Sequence, residues 1–178
     1  SAQSQTKKVK SPYPVYSISG LGGLAFPVGI FGDNFKSGGT FGIEVSDKVN
    51  KEVGFYVKFG YYFFPNKTTG IPDGKMIEYT AGPRYYFTSK NLKSSIFFEA
   101  GLGGYTFTQD AYTLNIAGVD TQIPEASNTD FGVNAGVGAV LNLGKDVDMI
   151  FKLKYHNIIQ TDGSSSFVAP LLGIDIRL

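Results

Sequence analysis

The sequence lacks several of the residues on which catalytic and metal sites are commonly built. Its 178 residues include no cysteine, no tryptophan and a single histidine. The missing cysteine excludes a disulfide framework, a thiolate metal site and a cysteine nucleophile. The 16 lysines and arginines almost balance the 15 aspartates and glutamates, so the chain offers no basic surface to nucleic acid. We therefore expect no nucleic-acid partner, no cofactor and no metal.

Charge and long apolar runs are also scarce. Charged residues make up 17% of the chain, against roughly 25% in soluble domains. The stretch near the N-terminus from Gly20 to Gly32 carries no charge, but it is rich in glycine and shorter than the roughly 20 apolar residues of a membrane-spanning helix. A helical membrane protein is thereby excluded, but a membrane β-barrel is not, because its strands need only about 9–11 residues.

The dominant pattern is strict alternation of apolar and polar or small residues. From Val53 to Phe63 every odd position is apolar or aromatic, while the even positions are Gly, Tyr, Lys, Gly and Tyr. A period of two predicts β-strands, and no helical period of useful length occurs. The predicted strands cover residues 15–28, 38–47, 53–63, 77–87, 95–108, 131–142, 147–156 and 168–178.

The connections between these segments alternate in length. Three are short polar turns, at residues 47–51, 89–93 and 144–146. Four are longer, at residues 29–37, 64–75, 109–128 and 157–165. This asymmetry is typical of outer-membrane barrels, which have short periplasmic turns and long extracellular loops. The sequence thus predicts an all-β fold, an eight-stranded antiparallel up-and-down transmembrane β-barrel at residues 15–178, after a disordered periplasmic tail at residues 1–14.

The alternation does not by itself say which face points inward. However, the polar face has few of the lysines and glutamates typical of a solvated surface, and its positive and negative charges are equal in number, which favours an inward orientation. Buried charges must be paired, so we expect an ion-pair network that fills the lumen. Its predicted members are Glu44, Lys58, Glu78, Arg84, Glu99, Asp148, Lys152, Lys154, Asp175 and Arg177. Aromatic residues near strand ends predict a girdle at the level of the lipid headgroups. Its predicted members are Tyr61, Phe63, Tyr85, Phe87 and Tyr155.

At this point the sequence resembles the small eight-stranded outer-membrane barrels of Gram-negative bacteria, of the OmpA transmembrane domain and OmpX type. The resemblance rests on strand number, alternation, loop asymmetry and an apolar final residue, Leu178, where that family usually ends in an aromatic. It implies an exported protein whose signal peptide has been removed, and a lipid bilayer containing lipopolysaccharide as its surroundings. Other outer-membrane proteins are further expected partners.

One alternative is enzymatic. Some outer-membrane barrels modify lipid A with a histidine, a serine and an acid, and His156 precedes Asp162 and the serines 164–166. The run His156-Asn157-Ile158 departs from the His-x-Ser pattern of the deacylases among them, so we expect a rim histidine and no enzyme. Carboxylates in or beside the longest loop are expected to be solvated rather than metal-bound. They are Asp110, Asp120, Glu125 and Asp130.

The remaining sequence signals favour a passive function. The loop at residues 109–128 is long and contains apolar Ile116, Val119 and Ile123, which makes it the candidate partner loop. We expect a structural or surface-interaction protein, or an accessory subunit of a larger outer-membrane complex. Two alternatives stay open: a narrow channel or lateral portal for small solutes, like the OmpW barrels, and a soluble lipocalin-like barrel that binds a ligand inside.

Overall fold

The computed structural model describes residues 13–88, 94–116, 119–161 and 163–178. In these ranges the chain forms ten strands and one short helix. They are β1 (Val15–Val28), α1 (Gly29–Asn34), β2 (Gly38–Lys48), β3 (Val53–Phe64), β4 (Gly74–Thr88), β5 (Ser94–Gln109), β6 (Tyr112–Ile116), β7 (Val119–Ile123), β8 (Ala126–Asn142), β9 (Val147–Gln160) and β10 (Gly163–Arg177).

Eight of these strands close an antiparallel barrel in the order β1-β10-β9-β8-β5-β4-β3-β2, and β2 pairs back onto β1. The eight-stranded barrel expected from the alternation is confirmed. The end of the barrel with the β2–β3 and β8–β9 turns, where β1 begins and β10 ends, is here called the turn end, and the opposite end the loop end. In the described ranges no helix is long and apolar enough to cross a bilayer.

The apolar face of the alternation points outward. Along β3, Phe55, Val57 and Phe59 are more than half exposed, whereas Tyr56 and Lys58 between them are 1% exposed. In the described strands of the barrel, charge on the outward face is confined to Asp47 at the turn end and Lys75 at the loop end. An uncharged apolar band around a closed strand ladder is the surface a membrane barrel presents to lipid. The lipocalin-like alternative, with apolar side chains inside, is therefore wrong.

The strands are longer at the loop end than the sequence pattern indicated. β5 and β8 remain paired as far as Gln109 and Ala126, and β9 and β10 are joined through residues 161–162 alone, where a loop at 157–165 was expected. The outward residues there are Thr106, Thr108, Ser127 and Thr129, which bond to one another in two pairs. Because this outer face is hydroxylated, the apolar alternation disappears although the ladder continues.

Two connections contain structure of their own. Residues 110–125 include β6 and β7, which pair with each other in a hairpin. The connection between β1 and β2 contains α1, whose Phe31 is buried inside the barrel mouth. The expected tail lies outside the described residues up to position 12, as does the turn at 89–93; Tyr13 and Pro14 precede β1.

Inward glycines make room for large rings in the narrow interior. Gly132 and Gly138 both face inward on β8. A side chain at Gly132 would occupy the place of the Tyr105 ring, and one at Gly138 that of the Phe97 ring. An eight-stranded barrel is only wide enough for its own side chains. The Tyr105 and Phe97 rings therefore fit inside because a neighbouring inward position is glycine.

A charge in the outward band should destabilise the membrane-inserted barrel. Val57 is 63% exposed at the middle of β3. We expect Val57→Arg to lower the free energy of unfolding from lipid bilayers by roughly 2–4 kcal/mol, the usual cost of arginine near the bilayer midplane. Denaturant titration of the protein in vesicles, followed by heat-modifiable gel mobility, measures this. Thr108→Arg, at the hydroxylated loop end, is the matched control and should change little; equal losses in both variants would contradict the outward band.

Candidate functional site

The interior of the barrel contains seven charged side chains midway along its strands, here called the lumen cluster. Each is between 0% and 4% exposed, and five different strands contribute them. The cluster consists of Glu44 on β2, Lys58 on β3, Glu78 and Arg84 on β4, Glu99 on β5, and Lys152 and Lys154 on β9. Their inward orientation follows from the same alternation that turns the apolar residues toward lipid.

Glu44 and Glu99 are bridged by Arg84 at the centre of the cluster. Arg84 Nη2 lies 2.5 Å from Glu44 Oε1 and 2.5 Å from Glu99 Oε2, and its Nε donates to Glu99 Oε2 at 2.8 Å. Lys152 also donates to Glu44, and Lys154 Nζ lies 3.0 Å from Glu99 Oε1. Because β2 and β9 are separated by two strands in the barrel, the pair of Lys152 and Glu44 crosses the lumen.

Glu78 forms a second centre closer to the loop end. Its Oε2 accepts hydrogen bonds from Lys58 Nζ at 2.7 Å and from Tyr62 Oη at 2.5 Å. Its Oε1 accepts one from Thr80 Oγ1 at 2.7 Å. Three donors on one buried carboxylate compensate for the water it has lost.

A chain of polar groups runs from Lys154 to His156, whose Nδ1 lies 3.9 Å from Glu78 Oε1. Lys154 donates to Tyr56 Oη at 3.2 Å, and Tyr56 donates to Asn134 Oδ1 at 2.8 Å. Asn134 Nδ2 donates to Tyr105 Oη at 3.2 Å, which lies 2.9 Å from His156 Nδ1. The four residues of this chain, Tyr56, Asn134, Tyr105 and His156, were not among the predicted site residues. Their inward parity on β3, β5, β8 and β9 was the signal that could have identified them.

Aromatic faces support the cations, which outnumber the carboxylates of the lumen cluster by four to three. The Arg84 guanidinium carbon lies 4.3 Å from the centre of the Phe97 ring. Lys154 Nζ lies 4.5 Å from the centre of the Tyr56 ring. Such contacts stabilise a desolvated cation by about 2 kcal/mol or more, so the ring faces add to the stabilisation that the three shared carboxylates provide.

Three of the ten predicted network residues lie apart from the lumen cluster, at the turn end. Arg177 Nη2 is 3.1 Å from Asp148 Oδ1, and Asp175 accepts a hydrogen bond from Ser19. They line a polar cavity of about 150 Å³ together with Lys48, which sequence reasoning missed. Tyr13 also lines this cavity, and burial raises the pKa of its hydroxyl. The single network expected from the sequence is thus divided into two groups, the lumen cluster and the residues of this turn-end cavity.

The loop end is filled by five phenylalanines, here called the aromatic plug: Phe31, Phe35, Phe64, Phe107 and Phe167. Phe31 of α1 is its centre, with ring centroids 5.0 Å from both Phe35 and Phe64. Phe167 joins the plug to the polar interior below it by stacking on His156, with ring centroids 4.4 Å apart. The lumen is therefore occupied by charged side chains midway and by apolar rings above them. Sequence reasoning treated residues 29–37 as an ordinary loop and missed the plug.

His156 was expected at the rim, and that prediction was wrong. It is fully buried in the lumen, because β9 continues beyond it to Gln160. Its Nδ1 faces Tyr105, while Ser165 bonds Gln160 and Ser166 bonds Asn157. Asp162 lies outside the described residues. In the described part of the chain, His156 and these serines do not form a catalytic arrangement.

The predicted girdle residues all lie on outward positions. Tyr61 packs on Phe41 near the loop end, with ring centroids 5.3 Å apart, and Phe63 is close by on β3. Tyr85 and Phe87 form a pair at 5.1 Å near the turn end. Tyr155 lies five residues before the end of β9 rather than at a strand end.

The loop carboxylates do not converge. Asp110 pairs with Lys75 at 2.6 Å, Asp120 accepts a hydrogen bond from Asn115 at 2.7 Å, and Asp130 one from Gln160 at 3.3 Å. In the described ranges no group of three or more histidines, aspartates or glutamates is placed to hold a metal ion. These three carboxylates thus each accept a hydrogen bond from a separate neighbouring side chain, one from a lysine and two from amides.

Removing Arg84 should destabilise the barrel strongly, because Glu44 and Glu99 would lose their shared partner while still buried. We expect Arg84→Met to cost about 3–5 kcal/mol of the free energy of unfolding, as for other broken buried pairs. Arg84→Met combined with Glu99→Gln should recover part of that loss. Denaturant titration in vesicles measures both. Lys75→Met, which breaks the exposed pair with Asp110, is the control and should have little effect; a small loss for Arg84→Met would show that water reaches the cluster.

The chain was compared with protein-family models, curated protein sequences and solved structures, and only the solved structures include similar proteins. Neither a protein-family model nor a curated protein sequence matches the chain. Neisserial surface protein A is similar in structure, with a TM-score of 0.65 at 16% identity, covering 92% of this chain and 97% of that one.

Two further barrels align over similar lengths. The N-terminal β-barrel domain of Pseudomonas aeruginosa OprF has a TM-score of 0.57 at 12% identity, covering 92% of this chain and 97% of that one. The attachment invasion locus protein Ail of Yersinia pestis has a TM-score of 0.55 at 16% identity, covering 93% and 97%. At these identities the likeness is one of fold. The chain has the fold of the small eight-stranded outer-membrane β-barrels.

Proposed function

We propose that this protein is a closed, non-conducting outer-membrane barrel that acts by presenting its loop end at the cell surface. The observation that carries the proposal is the double filling of the lumen, by the lumen cluster midway and the aromatic plug at the loop end. A solute would have to break several desolvated ion pairs and displace packed rings. The same filling argues against the narrow-channel alternative and against any need for catalysis in the lumen.

The surroundings of the barrel support an outer-membrane location. The outward band is apolar and almost free of charge, and the structurally similar proteins are outer-membrane or surface proteins. The loop end would then face outward, as long loops do in such barrels. An assignment as accessory subunit of a larger complex has no separate observation in its favour.

The hairpin formed by β6 and β7 is the proposed contact surface. Its cross-strand pairs place Tyr112 opposite Ile123, and strand alternation puts Leu114 on the same face as Tyr112. The opposite face has Asn115 paired with Asp120. The side chains of Ile116 and Val119 lie outside the described part of the chain; Ile123 is half-buried. An amphipathic hairpin that projects from a rigid barrel suits recognition of a protein partner.

The charge of the loop end argues against a polyanionic partner. A structure of Ail contains a heparin analogue, sucrose octasulfate. The described charged residues at the loop end of this chain comprise three lysines and six carboxylates. They are Lys36, Lys67 and Lys75, and Asp33, Asp73, Asp110, Asp120, Glu125 and Asp130. A sulfated glycan would be repelled by this surface, so the partner we propose is an uncharged or basic protein surface.

Conductance tests the closed lumen. Reconstituted into planar bilayers, the protein should produce no stepwise current, whereas a porin inserted in parallel should, because a wide barrel leaves an aqueous channel and a filled one does not. Insertion is verified by recovery of the heat-modifiable form from the same vesicles. Reproducible current steps that scale with the amount of protein would refute the closed barrel.

Excision of the hairpin tests its separate role. Replacing residues 111–124 by a short Gly-Ser linker should leave heat-modifiable mobility and unfolding midpoint nearly unchanged, since β6 and β7 form no ladder with the described barrel strands. Adhesion of expressing cells to a host or bacterial surface that the intact protein supports should disappear. Thr113→Ser within the intact hairpin is the control. Adhesion that persists after excision would place the contact elsewhere.

A further inference from the structure

A cavity opens beside α1 at the loop end, here called the mouth cavity. Its volume is about 260 Å³, and it lies between α1 and the ends of β9 and β10. Apolar side chains form its base. They are Phe31, Phe35, Met76, Phe107 and Ile158. The cavity is separate from the lumen cluster, because the rings of the aromatic plug lie between them.

The rim of the mouth cavity is polar and uncharged. Ser165 Oγ donates to Gln160 Oε1 at 3.0 Å, and both residues line the cavity. The described residues that line it include no charged side chain. Just beyond the rim, Asp130 accepts a hydrogen bond from Gln160 Nε2 at 3.3 Å. An anion would therefore meet a carboxylate at the entrance and no counter-charge inside.

We propose that the mouth cavity binds a small uncharged ring compound that has one hydrogen-bond donor. The apolar base would contact the ring, and the oxygen atoms of Gln160 and Ser165 would accept the donor. An apolar cavity of about 150 Å³ already binds benzene, so this cavity has room for two fused rings. Convergent polar groups over an aromatic base are the usual make-up of a small-molecule site.

This inference rests on the proposed function, because a filled lumen makes the cavity a dead end. A ligand that enters beside α1 meets Phe31 of the aromatic plug, which is 6% exposed and packs against Phe64 behind it. The cavity would hold its ligand at the cell surface rather than pass it inward. Ile30 on α1 is 73% exposed next to the opening and provides an apolar approach.

Equilibrium dialysis with 1-naphthol tests the site. The protein is embedded in lipid nanodiscs, and empty nanodiscs of the same composition correct for partition of the probe into lipid. We expect saturable binding at one site per barrel. Ser165→Phe, which fills the cavity from β10, should weaken binding about tenfold or more, corresponding to about 1.4 kcal/mol. Ser127→Phe adds the same ring to the loop end of β8, away from the cavity, and should leave binding unchanged.

Two further measurements keep the test decisive if Ser165→Phe folds poorly, which its gel mobility would reveal. Gln160→Ala should reduce the preference for 1-naphthol over naphthalene, because it removes an acceptor and only one methylene group of apolar surface. Naphthalene-1-sulfonate should bind the unaltered protein far more weakly than 1-naphthol. Equal binding by the Ser165→Phe and Ser127→Phe variants, or by the anionic probe, would overturn the mouth cavity as the site. Current steps in bilayers would instead refute the closed barrel, while the dialysis experiment would still test whether the mouth cavity binds the probe.

Discussion

The structure depends on one constraint, which is that a bilayer offers no hydrogen bonds to the chain. Every backbone polar group in the apolar band must find its partner within the protein, and only a closed strand ladder achieves this with strands. Closure by pairing β1 with β10 removes the two free edges. In the closed ladder successive side chains alternate between the lipid-facing surface and the lumen, so the polar side chains of the band point into the lumen.

The filled lumen follows from the size of the barrel. Eight strands enclose a space for side chains but not for a water column, so the inward charges must satisfy one another. Arg84 does this best, since its planar guanidinium can serve two carboxylates at once, Glu44 and Glu99. Tyrosines and Asn134 complete the arrangement by extending hydrogen bonds between Lys154 and His156.

The constraint is weaker at the loop end, because water there can form hydrogen bonds with polar groups of the chain. The ladder of β5 and β8 continues with hydroxylated side chains outside, and α1 folds back to place Phe31 in the mouth. Apolar rings close the barrel because they would otherwise be exposed at its opening. Phe31, Phe35 and Phe107 of the aromatic plug also belong to the base of the mouth cavity, so the proposed closed lumen and the proposed binding of a small molecule are compatible in one structure.

The sequence by itself determined the strand number, the alternation and the outward apolar band, because a period of two is a local property visible in residues such as Val53 to Phe63. It also indicated which charges face inward, since parity along a strand is local too. Only the tertiary structure decided that Asp148, Asp175 and Arg177 separate from the lumen cluster, that His156 lies inside and that Phe31 closes the mouth. Those outcomes depend on register and strand length, and hence on contacts between residues far apart in the chain, such as Glu44 and Lys152.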